Sequence, residues 1–222
     1  MSIVIKWLGH AGFQITGLGQ VIYIDYYRPK KLEERLPAPT EAASVVLCTH
    51  SHGDHCDLDA IKTVLSKRTK MMAPASCREK LGKEMVQVRA GEPQDSGQVR
   101  IMPVEAYNVK RFRTPGNPYH PKGFGVGYVI SLEGKTVYHA GDTDLIPEMS
   151  ELGKVDVALL PVGDTYTMDI QEGLQAVGIV KPRYAIPMHT WDKDVSDFEK
   201  GLASSTVTRP VILKEGQEFS LS

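Results

Sequence analysis

Short β-rich runs separated by glycine turns open the chain. Ile3-Val4-Ile5, Gly12-Phe13-Gln14-Ile15 and Val21-Ile22-Tyr23-Ile24 predict antiparallel strands. A loop rich in charge and proline runs from Arg28 to Thr40. Ser44-Val45-Val46-Leu47-Cys48 is continuously apolar, the pattern of a strand buried on both faces. Leu58, Ile61 and Leu65 then recur at helical spacing. The middle predicts a helix around Ser76–Gly82 and strands at Gln98–Val104, Gly125–Ile130 and Thr136–His139. Val155–Leu160 is a second buried strand, leading into Pro161-Val162-Gly163-Asp164. Ile170, Leu174, Val177 and Val180 form a helical stripe, and Tyr184–Met188 is a strand that ends at His189. Val195, Phe198 and Leu202 mark a last helix before strands at Val211–Leu213 and Glu218–Leu221.

The two halves are loosely alike: strands, a buried strand, a polar loop, a helix. That pattern predicts an α/β fold of two mixed sheets packed face to face with helices outside. At 222 residues, with no linker or low-complexity tract, the whole of 1–222 reads as one domain. The net charge of -1 offers no basic field for nucleic acid. No apolar run approaches a membrane span, and Met1-Ser2-Ile3-Val4-Ile5-Lys6-Trp7 lacks the pattern of a signal peptide. Three cysteines without a C-x-x-C pair argue against a disulfide framework and for a reducing, cytoplasmic setting. Cys48 and Cys56 flank the chemistry-bearing segment and read as small buried apolar residues.

That segment is Thr49-His50-Ser51-His52-Gly53-Asp54-His55. His50 and His52 lie two apart at a strand end, so their side chains project to the same side and can share one ion. Asp54 and His55, where the chain turns, can reach a second. Imidazole and carboxylate suit zinc first, with manganese, iron or nickel as alternatives. The plain alternative is a histidine-rich surface turn; placement directly after a buried strand, with polar residues at later strand ends, counts against it. The spacing is not the helical H-E-x-x-H of zinc proteases.

The H-x-H-x-D-H pattern resembles the signature of the metallo-β-lactamase superfamily. Trp7-Leu8-Gly9-His10 with Ile24-Asp25 resembles its opening strands, Tyr138-His139-Ala140-Gly141-Asp142-Thr143 its central segment, and Pro187-Met188-His189 its last metal histidine. The chain is similar to small metal-dependent hydrolases of that superfamily and, more distantly, to L-ascorbate-6-phosphate lactonase and N-acylphosphatidylethanolamine phospholipase D. The resemblance implies a four-layer αβ/βα sandwich and a binuclear site. His50 and His52 would hold one divalent ion, Asp54, His55 and His189 the other, and Asp142 would bridge them. The usual third histidine of the first ion is absent from Val104-Glu105-Ala106-Tyr107-Asn108. His120, in a Gly- and Pro-rich loop, is the substitute, with His139 the competitor.

Around these ligands, Asp25 can orient a histidine through its second nitrogen, and His10 and His139 are outer partners, each with a purely structural alternative. Two close dications produce hydroxide from water near neutral pH. Asp54 would orient that water, Asp142 would bridge, and Asp164 is a candidate for acid–base work or a mere turn residue. The loop from Ala106 to Gly123 carries Lys110, Arg111, Arg113 and Lys122 and no acid. If it borders the site it favours a small anionic ester, lactone or phosphoester; otherwise it is a solvated basic loop. A nuclease or phosphodiesterase of the same fold, a di-iron redox protein and a non-catalytic metal-binding module are the rival readings. A homo-oligomer is left open.

Overall fold

The computed structural model describes residues 2–36, 38–39 and 41–222; Met1, Pro37 and Thr40 lie outside the described residues, the latter two within the expected Arg28–Thr40 loop. In chain order the strands are β1 (Ile3–Gly9), β2 (Gly12–Gly17), β3 (Gln20–Ile24), β4 (Val45–Leu47), β5 (Lys70–Ala73), β6 (Val86–Gln87), β7 (Gln94–Ser96) and β8 (Val99–Ala106). They continue as β9 (Phe112–Thr114), β10 (Asn117–Pro118), β11 (Gly125–Leu132), β12 (Lys135–His139), β13 (Val157–Pro161), β14 (Tyr184–Met188), β15 (Arg209–Pro210) and β16 (Glu218–Leu221). One sheet has the order β16-β1-β2-β3-β4-β5-β6 and the other β15-β14-β13-β12-β11-β8-β7, while β9 and β10 form a separate hairpin. In each sheet antiparallel strands give way to parallel ones, from β3 onward in the first and from β12 onward in the second.

Three apolar clusters make this a four-layer sandwich. Ile22, Ile24, Val45 and Leu47 face Tyr128, Val137, Val157 and Leu159 between the sheets. The intervening Tyr23 and Val46 point outward, against Ile61 and Val64 of helix α2 (Leu58–Val64) and Leu81 of α3 (Arg78–Leu81); the short α1 (Lys30–Glu33) precedes both. On the far side Ala158 and Leu160 meet Ala176 and Val177 of α4 (Ile170–Val180) and Phe198 of α5 (Ser196–Leu202). A strand covered on both faces must be apolar at every position, which is why β4 and β13 are unbroken hydrophobic runs. Each such side chain contributes roughly 1.5–3 kcal/mol by leaving water. Asp57 caps α2 by accepting from the Asp59 and Ala60 amides, and Asp169 with Glu172 forms a reciprocal capping box on α4.

One expected strand is displaced. Val211–Leu213 lies outside the ladder, and the pairing falls on Arg209–Pro210 instead. Val211 keeps one hydrogen bond to Ala185, and Val211 and Leu213 pack on the central core as a half-buried strap. No helix among the described residues is long and apolar enough to cross a membrane.

Candidate metal centre

The polar residues singled out in the sequence collect where strands of both sheets end. His10 follows β1, Asp25 follows β3, Thr49 and His50 follow β4, Asp142 follows β12 and His189 follows β14. Carboxyl ends of parallel strands are where open α/β sheets leave a crevice. His10, Asp25 and His189 have positive φ values of 50, 46 and 53, so the chain kinks sharply as each strand stops and tips its side chain into that crevice. Gly141 (φ 65) must be glycine: a Cβ there would lie 2.9 Å from the Val126 carbonyl and 3.2 Å from Thr49.

Two groups of ligand-type atoms result. His50 Nε2 is 3.0 Å and His120 Nε2 3.2 Å from His52 Nδ1, so three imidazole nitrogens face one another. Beside them stand His10, Asp54, His55 and His189, with His10 Nε2 3.1 Å from Asp54 Oδ2. Asp142 lies between the groups. Its Oδ2 is 3.2 Å from His189 Nε2, 3.4 Å from His120 Nε2 and 3.9 Å from His50 Nε2, and its Oδ1 is 3.4 Å from His55 Nε2. Buried polar atoms are normally partnered. Here His55 Nε2, both His189 ring nitrogens and Asp142 Oδ1 are buried without a hydrogen bond. His189 Nε2 and His55 Nε2 both face the Asp142 carboxylate, and unpartnered buried atoms grouped in this way fit the demands of a cation, so the donor set suits divalent metal.

Protonation agrees for the first group. Burial pushes His50 well below its ordinary range, lowers His52, and takes His120 down to about 4, which leaves neutral, ligand-competent rings. Burial opposes ionisation of Asp142, but His189 and His55 outweigh it and hold the carboxyl well below the usual range. Burial likewise works to lower His55, yet Asp142 and Asp25 raise it well above its ordinary value. That proton would have to leave before Nε2 could ligate, so metal uptake at this position would release protons.

Buried hydrogen bonds set which nitrogen each ring offers. Asp25 accepts from the Thr49 amide, the Thr49 hydroxyl and His55 Nδ1, each at 2.7 Å. Because Thr49 Oγ1 donates to Asp25, it can only accept from His50 Nδ1 at 3.0 Å. One carboxylate thus points Nε2 of both His55 and His50 into the crevice. Asn108, which stands where a third histidine was sought, orients the replacement. Its Nδ2 donates to the Tyr166 carbonyl at 2.9 Å, which turns Oδ1 toward His120 to accept from the backbone amide (2.8 Å) and from Nδ1 (2.9 Å). His139 has both nitrogens occupied, by the Ala11 carbonyl at 2.8 Å and the Gly141 amide at 3.2 Å, so it braces the backbone beside Asp142 and offers no free ligand atom. His10, expected among the outer partners, is brought directly into the second group.

Several expected site residues fall elsewhere. Asp164 is exposed, has φ 75, and binds Arg111 Nη2 at 3.2 Å rather than facing the histidines. Lys110 pairs with Glu172 at 2.6 Å, and Lys122 pairs with Glu148 at 2.7 Å. Arg111 is only 11% exposed and lies among Asp144, Asp164, Asp169 and Glu172. Asp144 also accepts three consecutive amides, from Val109, Lys110 and Arg111, and so anchors the loop. Only Arg113 of the four cations borders the crevice, a cavity of about 390 Å³ that also exposes His52, Asp54, His120 and Asp142.

A profile of the beta-lactamase superfamily domain matches residues 4–189. The chain is 32% identical over 234 residues to a UPF0173 metal-dependent hydrolase of Archaeoglobus fulgidus, covering 98% of this chain and 99% of that one. Its fold superimposes on a solved Parabacteroides distasonis protein with a TM-score of 0.85 and 31% identity, over 97% and 94% of the two chains. Igni18, a metallo hydrolase from Ignicoccus hospitalis, superimposes with a TM-score of 0.78 and 25% identity, over 100% and 99%. The chain therefore belongs to the beta-lactamase superfamily and, within it, to the UPF0173 metal-dependent hydrolases.

Proposed function

We propose that this chain is a binuclear hydrolase acting on a small anionic ester, lactone or phosphoester. His50, His52 and His120 would hold one divalent ion, Asp54, His55 and His189 the other with His10 against it, and Asp142 would bridge the two. The observation that carries this reading is the position of Asp142, whose two oxygens face histidines of both groups. The bound ions would supply Lewis acidity, which generates a water nucleophile near neutral pH and polarises the bond to be cut. Asp54 stands at the cavity wall, held by His10, where its carboxylate can orient the attacking water. Burial opposes its ionisation, but the His10 hydrogen bond and the His55 charge outweigh that and keep it an anion able to accept a hydrogen bond. Asp25, Thr49 and Asn108 act at one remove by fixing the ring nitrogens. Zinc is the first candidate, with manganese, iron or nickel as the others. Three free, buried cysteines suit a reducing cytoplasm.

The test is turnover of a panel of lactones, phosphodiesters and thioesters by metal-replete and chelator-stripped protein. Metal-dependent hydrolysis of at least one class is expected. Full metal content with no turnover of any class would leave a binding module instead.

A further inference from the structure

The chemistry around the cavity mouth selects among anionic substrates. Three of the four cations in the loop from Ala106 to Gly123 are neutralised by carboxylates of this chain. Arg113 is different. Among the described residues no carboxylate lies within ion-pair distance of it, and its guanidinium rests 5.1 Å over the Tyr119 ring. It sits on the β9–β10 hairpin and lines the same cavity as His52, Asp54, His120 and Asp142. An unpaired guanidinium at the wall of a metal-type cavity is a ready partner for carboxylate or phosphate oxygens.

The rest of the mouth is aromatic. Tyr119 meets Tyr166 edge-to-face at 4.7 Å, and Tyr166 lies 6.1 Å from Trp191. Trp191 is 48% exposed, although a tryptophan gains most by burial. It is held there deliberately by the backbone: φ is 54, the His10 ring packs edge-on at 4.7 Å, and Gly163 gives it room, since a Cβ at Gly163 would lie 2.9 Å from the indole. The exposed Trp191 indole offers a flat ligand a surface to stack on, and Tyr119 and Tyr166, set at 85° to each other, line the same cavity.

We propose that Arg113 is the specificity-determining residue of this site, binding a carboxylate or phosphate group of a substrate whose planar part lies against Tyr119, Tyr166 and Trp191. This rests on the reading of the cavity as the active site. The cavity's volume of about 390 Å³ suits a single-ring compound rather than a long chain.

Equilibrium titration tests it with four probes on both metal-loaded and chelator-stripped protein: phenylphosphonate, benzoate, methylphosphonate and benzyl alcohol. Phenylphosphonate or benzoate should bind at least about tenfold tighter than benzyl alcohol, and whichever of the two is preferred names the anion. Phenylphosphonate should also exceed methylphosphonate, and Trp191→Ala should remove that difference. Arg113→Met should weaken the preferred anion roughly tenfold or more in both protein forms, Arg113→Lys should retain part of it, and Lys110→Met should leave it unchanged. Equal binding by Arg113→Met and the unaltered protein, or equal loss in Lys110→Met, would overturn the proposal. Turnover of the whole lactone, phosphodiester and thioester panel by metal-replete protein is scored separately. Its absence with intact anion selectivity would defeat the hydrolase reading alone, and metal-dependent turnover with no anion preference would defeat this one alone.

Discussion

Replacing Asp25 with Asn changes one atom and should disable both histidines that the carboxylate orients. Asp25 is fully buried, and asparagine tolerates its φ of 46, so the backbone has no reason to move. The amide oxygen can keep the Thr49 backbone amide. The NH2 group then faces His55 Nδ1 and the Thr49 hydroxyl, where an acceptor stood before. As a donor it drives His55 to the tautomer with its proton on Nε2, the atom that points at Asp142. The Thr49 hydroxyl must rotate to accept from the new NH2 and can then donate to His50 Nδ1, which displaces the His50 proton to Nε2 as well. Loss of such an orienting partner lowers metal affinity by about 10–100-fold, which corresponds to roughly 1.4–2.7 kcal/mol. Competitive zinc titration against a chromophoric chelator measures it, and nitrogen-15 imidazole shifts report the tautomers. Thr49→Val separates the branches, because it removes the hydroxyl that links Asp25 to His50 and leaves His55 on Asp25. If Asp25→Asn takes up metal with unchanged affinity and unchanged tautomers, the orienting role is wrong.

Asn108→Ala should release the His120 ring and weaken metal at the first position, again about 10–100-fold, with the second position unaffected; loss of both equivalents would contradict separate anchoring. Chelator-stripped protein should be most stable near neutrality, as read from urea midpoints between pH 4 and 9. Burial lowers the pKa of His10, His50, His52, His120 and His139, so the unfolded chain binds more protons below their ordinary 6.5, and that stability is lost as pH falls toward the value of about 4 at His120. His55 is raised, so its contribution is complete below 6.5 and is lost as pH rises through its folded value. Stability that increases steadily from pH 7 to pH 4 would refute this distribution of protons.

What the sequence displayed was local. His50 to His55 are neighbours in the chain, and the unbroken apolar runs of β4 and β13 follow from burial on both faces. Asp142 and His189 emerged only through resemblance, because their convergence depends on two sheets meeting. The partners of the basic loop were hidden for the same reason: Lys110 finds Glu172 and Arg111 finds Asp164, 62 and 53 residues away, and no local pattern announces that three of four charges are already satisfied. Asn108 looked like a missing histidine; its function as the acceptor that turns His120 inward depends on a twelve-residue loop closing on itself. Val211–Leu213 was apolar enough for a strand, but the ladder with β14 is used up at Arg209–Pro210, and packing alone accounts for its hydrophobicity. The positive φ angles at His10, Asp25 and His189 carry only a faint sequence signature: histidine and aspartate enter that region more often than most side chains, but neither requires it as glycine turns do.

The central claim is that Asp142 joins two metal positions. Two dications a few ångströms apart repel, and a carboxylate between them offsets that repulsion. The most direct measurement is zinc stoichiometry of tag-free, chelator-stripped protein on titration, compared between the natural chain and Asp142→Ala. The account predicts two equivalents for the natural chain, with one weakened or lost and hydrolysis abolished in Asp142→Ala. A single equivalent in the natural chain, or two tightly held equivalents with full activity in Asp142→Ala, would contradict it.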